Sequence, residues 1–233
     1  ITITATLFML VSFFVILIFN ACKQNISDTT APEAVDGVLD LRTWDFETKG
    51  PVALSGKWEF FWQSLLQPDD FATENPPVAS GLIEVPADWN GFDVNGKKIA
   101  GDGNATYRLE ILLGRTSERM AFKFLDMAVA FSVHVNGKYL TSVGTPGKTF
   151  DTTAPRFHPH VVDFMPDSDR LDVIIQVSNF HHRKGGIWEA IHLGLADDIR
   201  ALRQNTLYFN FFLIGSILIM GIYHLVFFAL RNK

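Results

Sequence analysis

Residues 53–66 read ALSGKWEFFWQSLL, with Trp58, Phe60, Phe61 and Trp62 crowded into the positions just after Gly56. A period of two separates them. Leu54, Gly56, Trp58, Phe60 and Trp62 fall on one side; Ser55, Lys57, Glu59, Phe61 and Gln63 fall on the other. That alternation is what a half-buried strand requires, because successive side chains point to opposite faces. The rings therefore belong to a core before they belong to any site, with a ligand platform as the alternative.

The same period recurs along the chain. Tyr107, Leu109, Ile111 and Leu113 share a face in ATYRLEILL. Met120, Phe122 and Phe124 share one in RMAFKFL, and Val129, Phe131, Val133 and Val135 do so in VAFSVHV. Asn136-Gly137 follows directly, then KYLTSV; Asn-Gly between alternating runs marks a tight hairpin, since both central positions take positive φ. Leu171, Val173, Ile175 and Val177 alternate in RLDVIIQVS, and IWEAIHL closes the series. Short, evenly spaced strands broken by Gly, Pro, Asn and Asp predict a mainly β protein, an antiparallel β-sandwich over residues 37–196.

Two apolar blocks frame this region within the 233 residues. The C-terminal block, 207–230, carries no charged side chain. About 20 such residues span a bilayer as a helix, so the block predicts a transmembrane helix and the lipid bilayer as a partner, against a buried soluble helix. Residues 197–206 read as a helical junction. Asp197 is the expected N-cap, the acids sit in the first turn, Arg200 and Arg203 come later, and no Pro or Gly interrupts before the apolar block. Residues 1–22 form the other apolar block and resemble a secretory signal. It ends at Cys22, the one cysteine. Phe19-Asn20-Ala21-Cys22 resembles a bacterial lipobox, though Phe19 and Asn20 depart from its preferences. Lipidation at Cys22, plain signal cleavage and an uncleaved anchor all remain open. Residues 23–36 are polar and aperiodic, as a flexible tether would be. The chain starts at Ile1 rather than Met and is expected to be a fragment. One cysteine allows no intramolecular disulfide, and a net charge of −5 without a basic cluster argues against a nucleic-acid partner.

Candidate chemistry is sparse. The richest stretch, NFHHRKGGIW, packs Asn179, His181, His182, Arg183, Lys184 and Trp188 around Gly185-Gly186. Hydrogen-bonding groups beside an aromatic plate suit a sugar or carboxylate ligand; a turn with positive-φ glycines is the plain alternative. Arg156 in another loop is a companion. Asp167, Asp169 and Asp172 in PDSDRLD are calcium candidates, with a solvated turn as the alternative. His158 and His160 have same-face spacing for a metal pair, but Pro159 stands between them, and surface loop histidines are the default. No GxSxG, P-loop or HExxH is present, so no catalytic residue and no cofactor is expected. Tyr223 and His224 lie within the apolar block. An ionisable residue there is a functional candidate, or simply faces a neighbouring helix.

Taken in order, LSGKWEF, VPADWN, GNATYRLEI, VHVNGKYL and VSNFHHRKGG resemble the jelly-roll sugar-binding domain of glycoside hydrolase family 2. More closely, LDLRTWDF with LSGKWEFFWQSLL and the terminal GIYHLVFFALRNK resemble bacterial seven-transmembrane receptors with diverse intracellular signalling modules. That resemblance implies a galactose-binding-like sandwich on the periplasmic or extracellular side of the cell membrane and an early strand that carries Trp58, Phe60 and Trp62. There Gly56 would permit close approach of a neighbour. It also implies a small-molecule or carbohydrate ligand and a cytoplasmic output, such as a kinase or cyclase, beyond residue 233. An adhesion or scaffold module and a membrane-tethered glycosidase are the alternatives.

Overall fold

The computed structural model describes residues 31–114, 117–125, 127 and 129–231. Cys22, the signal-like block and most of the expected tether lie outside the described residues. The fold is two facing β-sheets followed by one long apolar helix. The strands are β1 (Val38–Leu41), β2 (Val52–Ala53), β3 (Gly56–Trp62), β4 (Gly81–Val85), β5 (Ala87–Asp88), β6 (Asp93–Val94), β7 (Lys97–Lys98), β8 (Gly103–Leu113), β9 (Met120–Phe124), β10 (Ala130–Val135), β11 (Lys138–Val143), β12 (His160–Phe164), β13 (Arg170–Asn179), β14 (Gly186–Ile187) and β15 (His192–Leu195). The helices are α1 (Phe46–Lys49), α2 (Pro68–Phe71) and α3 (Ala196–Arg231). One sheet has seven strands in the order β11-β10-β13-β8-β3-β4, with β1 also beside β8; the other has the order β12-β9-β15-β2. All pairs are antiparallel except β1 with β8, which is parallel.

The alternating faces read from the sequence meet between the sheets. Trp58, Phe60, Tyr107, Leu109, Ile111, Val173, Ile175 and Val177 line the inner face of the larger sheet, and Phe122, Phe124 and Leu193 come from the smaller one. Burying one such side chain contributes roughly 1.5–3 kcal/mol. β10 and β11 join through Asn136-Gly137 at φ 48° and 78°, with Val135 opposite Lys138. This is the two-residue turn the sequence predicts.

The opening stretch is corrected at two positions. Phe61, placed by alternation on the polar side, is buried. The outer face of the large sheet is not open to water there, because the 63–80 connection crosses it. Phe61 meets Phe71 of α2 edge-on at 5.2 Å, and Arg108 lies over the Phe71 ring while pairing with Asp172 at 2.8 Å. The connection is tied down polar atom by polar atom. Leu66 N–H donates to the Thr106 hydroxyl, Thr106 to the Ser64 carbonyl, and the Gln176 amide to the Leu66 carbonyl. Trp62, placed in the core, is only half-buried at the sheet's end, edge-on to Trp89 at 5.2 Å.

Gly56 is required by its neighbour. Its φ is +111°, and a Cβ there would stand 2.5 Å from the Ala34 backbone. Ala34 is buried and exchanges backbone hydrogen bonds with Ser55 and Lys57, so the ordered body includes residues assigned from sequence to the tether.

Strand β15 passes into α3 without a loop. The helix starts at Ala196, whose N–H donates to the Arg119 carbonyl at 2.9 Å. Asp197 therefore stands inside the first turn rather than capping it, and its carboxylate takes Arg200 at 3.1 Å. Arg200 also pairs with Asp163 on β12. Ile199 is buried against Ala121, Ala196 and Val161. The helix has 36 residues, about 54 Å at 1.5 Å each. Among the described residues nothing covers its apolar part, which is long enough to cross a membrane.

Two outcomes are expected. Gly56→Ala combines a strained φ with a clash against fixed backbone and should destabilise the fold by about 2–3 kcal/mol, read as a lower melting temperature of the detergent-solubilised chain. Burial lowers the pKa of His134, His160 and His192, with Lys123 adding to the effect at His192. The unfolded chain then binds more protons than the fold just below the ordinary histidine value of about 6.5. Stability present at pH 7.5 should fall as pH drops towards 5.5. His192→Gln should flatten that slope in melts at the two pH values; an unchanged slope would remove His192 from the account.

Candidate functional site

The chemistry-bearing loops gather at the end of the sandwich where β9 and β13 finish and β15 begins. Asn179 ends β13 and has no exposed surface. Its amide N–H groups donate to the carbonyls of Gly101 and His182, at 2.8 and 2.6 Å, and its Oδ1 accepts from His182 N–H at 3.0 Å. All three bonds stay inside the protein, so Asn179 shapes the 180–185 turn and presents nothing to a ligand. This corrects the sequence assignment. Asn90 seals the same turn from the other side, donating to the Arg183 carbonyl and accepting from Gly185 N–H. Gly185 is there because Trp89 is: a Cβ would stand 2.2 Å from the indole. The Trp89 N–H in turn donates to the Gly101 carbonyl at 3.0 Å.

Beyond the turn Gly186 and Ile187 are buried, and Trp188 and Glu189 reach the surface. Trp188 is half-buried and meets the His182 ring edge-on at 4.9 Å. Together with Leu125, Phe157 and Glu189 it lines a cleft of about 320 Å³, within the small-ligand range. His181, the residue before His182, lies stacked on Phe150 at 4.1 Å. Arg183 is exposed, and Lys184 is held by Asp88 at 2.7 Å. Arg156 precedes Phe157; its backbone N–H donates to the Val129 carbonyl at 3.0 Å, which pins the loop that carries both. Of the sequence candidates, His181, His182, Arg183, Trp188 and Arg156 thus come to one end of the fold.

Leu125, Phe150, Phe157 and Glu189 were not found by sequence reasoning. Phe157 did carry a signal, an aromatic residue between Pro155 and Pro159 in a stretch without strand alternation. Leu125 and Glu189 carried none, being an apolar residue at a strand end and one carboxylate among many.

The side chains of two of the three aspartate candidates, Asp167 and Asp172, are otherwise engaged. Asp167 pairs with Lys138 at 2.8 Å and accepts from Asn136. Lys138 and Asn136 hold its carboxyl below the ordinary carboxylate range. Asp172 pairs with Arg108, and the Asp169 carbonyl accepts from Leu113 N–H. Among the described residues no group of three His, Cys, Asp or Glu is placed to hold a metal ion. The His158 and His160 rings stand 6.2 Å apart. Tyr223 and His224 are in ring contact on α3 at 5.5 Å.

No family model matches the chain, and no curated protein matches it. Among solved structures it is similar to a GH2 β-galacturonidase from Eisenbergiella tayi bound to galacturonate, at 16% identity over 61% of this chain and 24% of that one, with a TM-score of 0.42. A β-glucuronidase from an uncultured Clostridium species gives 16%, 61%, 28% and 0.47, and one from Ruminococcus gnavus gives 16%, 61%, 27% and 0.44. The match spans about a quarter of each enzyme's length. Likeness at this level says nothing of activity, and it lends no support to the receptor resemblance.

Asn179→Ala removes three hydrogen bonds and leaves the His182 N–H and carbonyl without this partner, while the Gly101 carbonyl keeps Trp89. It should cost about 2–4 kcal/mol, while Trp188→Ala, at a half-exposed position, should cost less than half as much. Chemical denaturation of the two variants beside the parent chain checks the contrast.

Proposed function

We propose that the chain is the extracytoplasmic ligand-sensing front end of a bacterial membrane receptor, with the Trp188 cleft as the site for a carbohydrate or similar small molecule. On this reading residues 1–22 are an export signal or a lipid-anchored one through Cys22, and residues 37–196 are the sensor. Residues 197–206 are the junction, 207–230 cross the bilayer, and the signalling output lies beyond residue 233.

One observation carries the reading. The segment that supplies Trp188 and Glu189 runs through Ile191 into β15, and β15 ends at Leu195 where α3 begins at Ala196. Cleft residue Glu189 is thus followed by two irregular residues, Ala190 and Ile191, and then by the four paired residues of β15 before the helix begins. Ile191 is wholly buried and its carbonyl accepts from Leu54 N–H at 2.8 Å, so the short connection is pinned and a rearrangement at the cleft is carried along it to the helix. A ligand shifts such an equilibrium only by its differential affinity for the two states, so tenfold discrimination corresponds to about 1.4 kcal/mol at the helix.

Binding rather than hydrolysis fits the cleft. Glycoside hydrolysis uses two carboxylates flanking the scissile bond, whereas Glu189 is the one carboxylate among the described lining residues. Aromatic plates with a polar rim are what a reversible sugar site uses.

The test uses the chain in lipid nanodiscs and hydrogen exchange across the first turns of α3. A saccharide that quenches Trp188 fluorescence is expected to slow exchange at 196–204 by up to about tenfold, the factor given by a bias of ~1.4 kcal/mol. Two glycines inserted between Leu195 and Ala196 should abolish that response and leave affinity unchanged. If the insertion variant responds like the parent, coupling through the strand–helix joint is wrong.

A further inference from the structure

We propose that the Phe150–His181 stack is a second sugar subsite, so that this end of the sandwich takes a saccharide chain of two or more residues rather than a single sugar. The inference rests on the carbohydrate reading of the Trp188 cleft.

Phe150 is 60% exposed, yet the loop that carries it is heavily bonded. Thr149 N–H donates to the Thr152 hydroxyl at 3.0 Å and the Thr153 hydroxyl to the Thr149 carbonyl at 2.8 Å. At the loop's base the Ser178 hydroxyl both accepts from Gly147 N–H and donates to the Gly147 carbonyl, at 3.0 and 2.7 Å. A large ring is held in water by a loop whose geometry is fixed, although burying it would be worth roughly 1.5–3 kcal/mol. One face of the ring lies on His181, with the planes 26° apart. Phe150 is therefore a plate backed on one side, with little rotamer freedom left to lose on binding. The negative face of an aromatic ring attracts the polarised C–H groups that a pyranose presents on its apolar side.

The two plates share a support. His181 backs the face of Phe150, and the next residue, His182, meets Trp188 edge-on at 4.9 Å. Successive Cα atoms are about 3.8 Å apart, so the stack and the cleft flank one peptide bond. A polymer lying along this end meets Phe150 and Trp188 in succession, with the exposed Arg183 on the rim for its hydroxyls. A monosaccharide reaches one plate only. Linking two weak subsites through one ligand makes the second contact intramolecular, and affinity rises without any new kind of contact.

Binding of glucose, galactose and xylose is compared with that of cellotetraose, galactotetraose and xylotetraose, using the chain in nanodiscs and titration calorimetry. At least one tetraose is expected to bind about tenfold or more tighter than its monosaccharide. Phe150→Ala should reduce that tetraose to the affinity of its monosaccharide while leaving the monosaccharide unchanged; Phe150→Trp should restore the preference. Trp188→Ala should weaken both ligands. If Phe150→Ala leaves the ratio of tetraose to monosaccharide unchanged, the second subsite is overturned and the cleft reading stands. Absence of binding by all six sugars overturns the carbohydrate reading and this inference with it.

Discussion

Leu193 has no exposed surface, and its burial fixes what lies on either side of it in the chain. It sits in the middle of β15, opposite Phe122 of β9 on one side and Val52 of β2 on the other. A strand paired on both edges and packed on the core cannot slide by one residue without turning its buried set outward. β15 is therefore a fixed point. Four residues upstream, past Ile191 and Ala190, the chain forms the rim of the cleft, and three residues downstream it has become helix. The cleft is tied to this locked strand through Ile191, which is wholly buried and accepts from Leu54 N–H, and α3 leaves from the strand's other end.

The other attachments of α3 are weaker in kind. Arg200 joins Asp163 and Asp197, but its side chain is 46% exposed, and exposed ion pairs contribute about 0–1 kcal/mol. Ile199 does more, because it is wholly buried on the outer face of the smaller sheet beside Ala121. Even so, one isoleucine offers roughly 1.5–3 kcal/mol of burial. The joint thus combines backbone continuity, which is stiff, with side-chain docking, which is modest. Under the proposed sensing role, a joint of that kind would hold one arrangement at rest and yield to a ligand bias of ordinary size.

Most of the fold was legible because the sheet has a period of two and the inner face is apolar wherever a strand crosses it. Trp58, Tyr107, Phe122, Val133 and Val173 announced themselves by spacing alone, and Asn136-Gly137 by the φ its turn demands. Phe61 was not legible, because its burial comes from the connection that follows β3 and folds back over it. Nothing in KWEFFWQ says that residues 63–80 will fold back across that face. The site was legible only in part, and for a similar reason. Composition picked out the 179–188 stretch, but it could not tell a side chain that builds the turn from one that faces water. Asn179 and Trp188 look equally suited to a ligand in the sequence; their hydrogen bonds separate them. The alternation rule also has nothing to say about Phe150 and Phe157, which stand on loops.

The arrangement of polar groups at the loop end follows from a division of labour between two asparagines and the rings. Asn90 and Asn179 supply most of the side-chain hydrogen bonds that define the 180–185 turn, and Gly101 and Gly185 give the space in which those bonds form around Trp89. Buried polar groups must be paired, and here they pair with nearby backbone; the His182 ring joins them, its Nδ1 accepting from Lys184 N–H at 3.2 Å. His182 and Trp188 can then stand at the surface as rigid plates, since the backbone beneath them is fixed by bonds that no ligand has to break. A binding surface built this way loses little entropy when occupied, and its floor is the same chain segment that continues into β15.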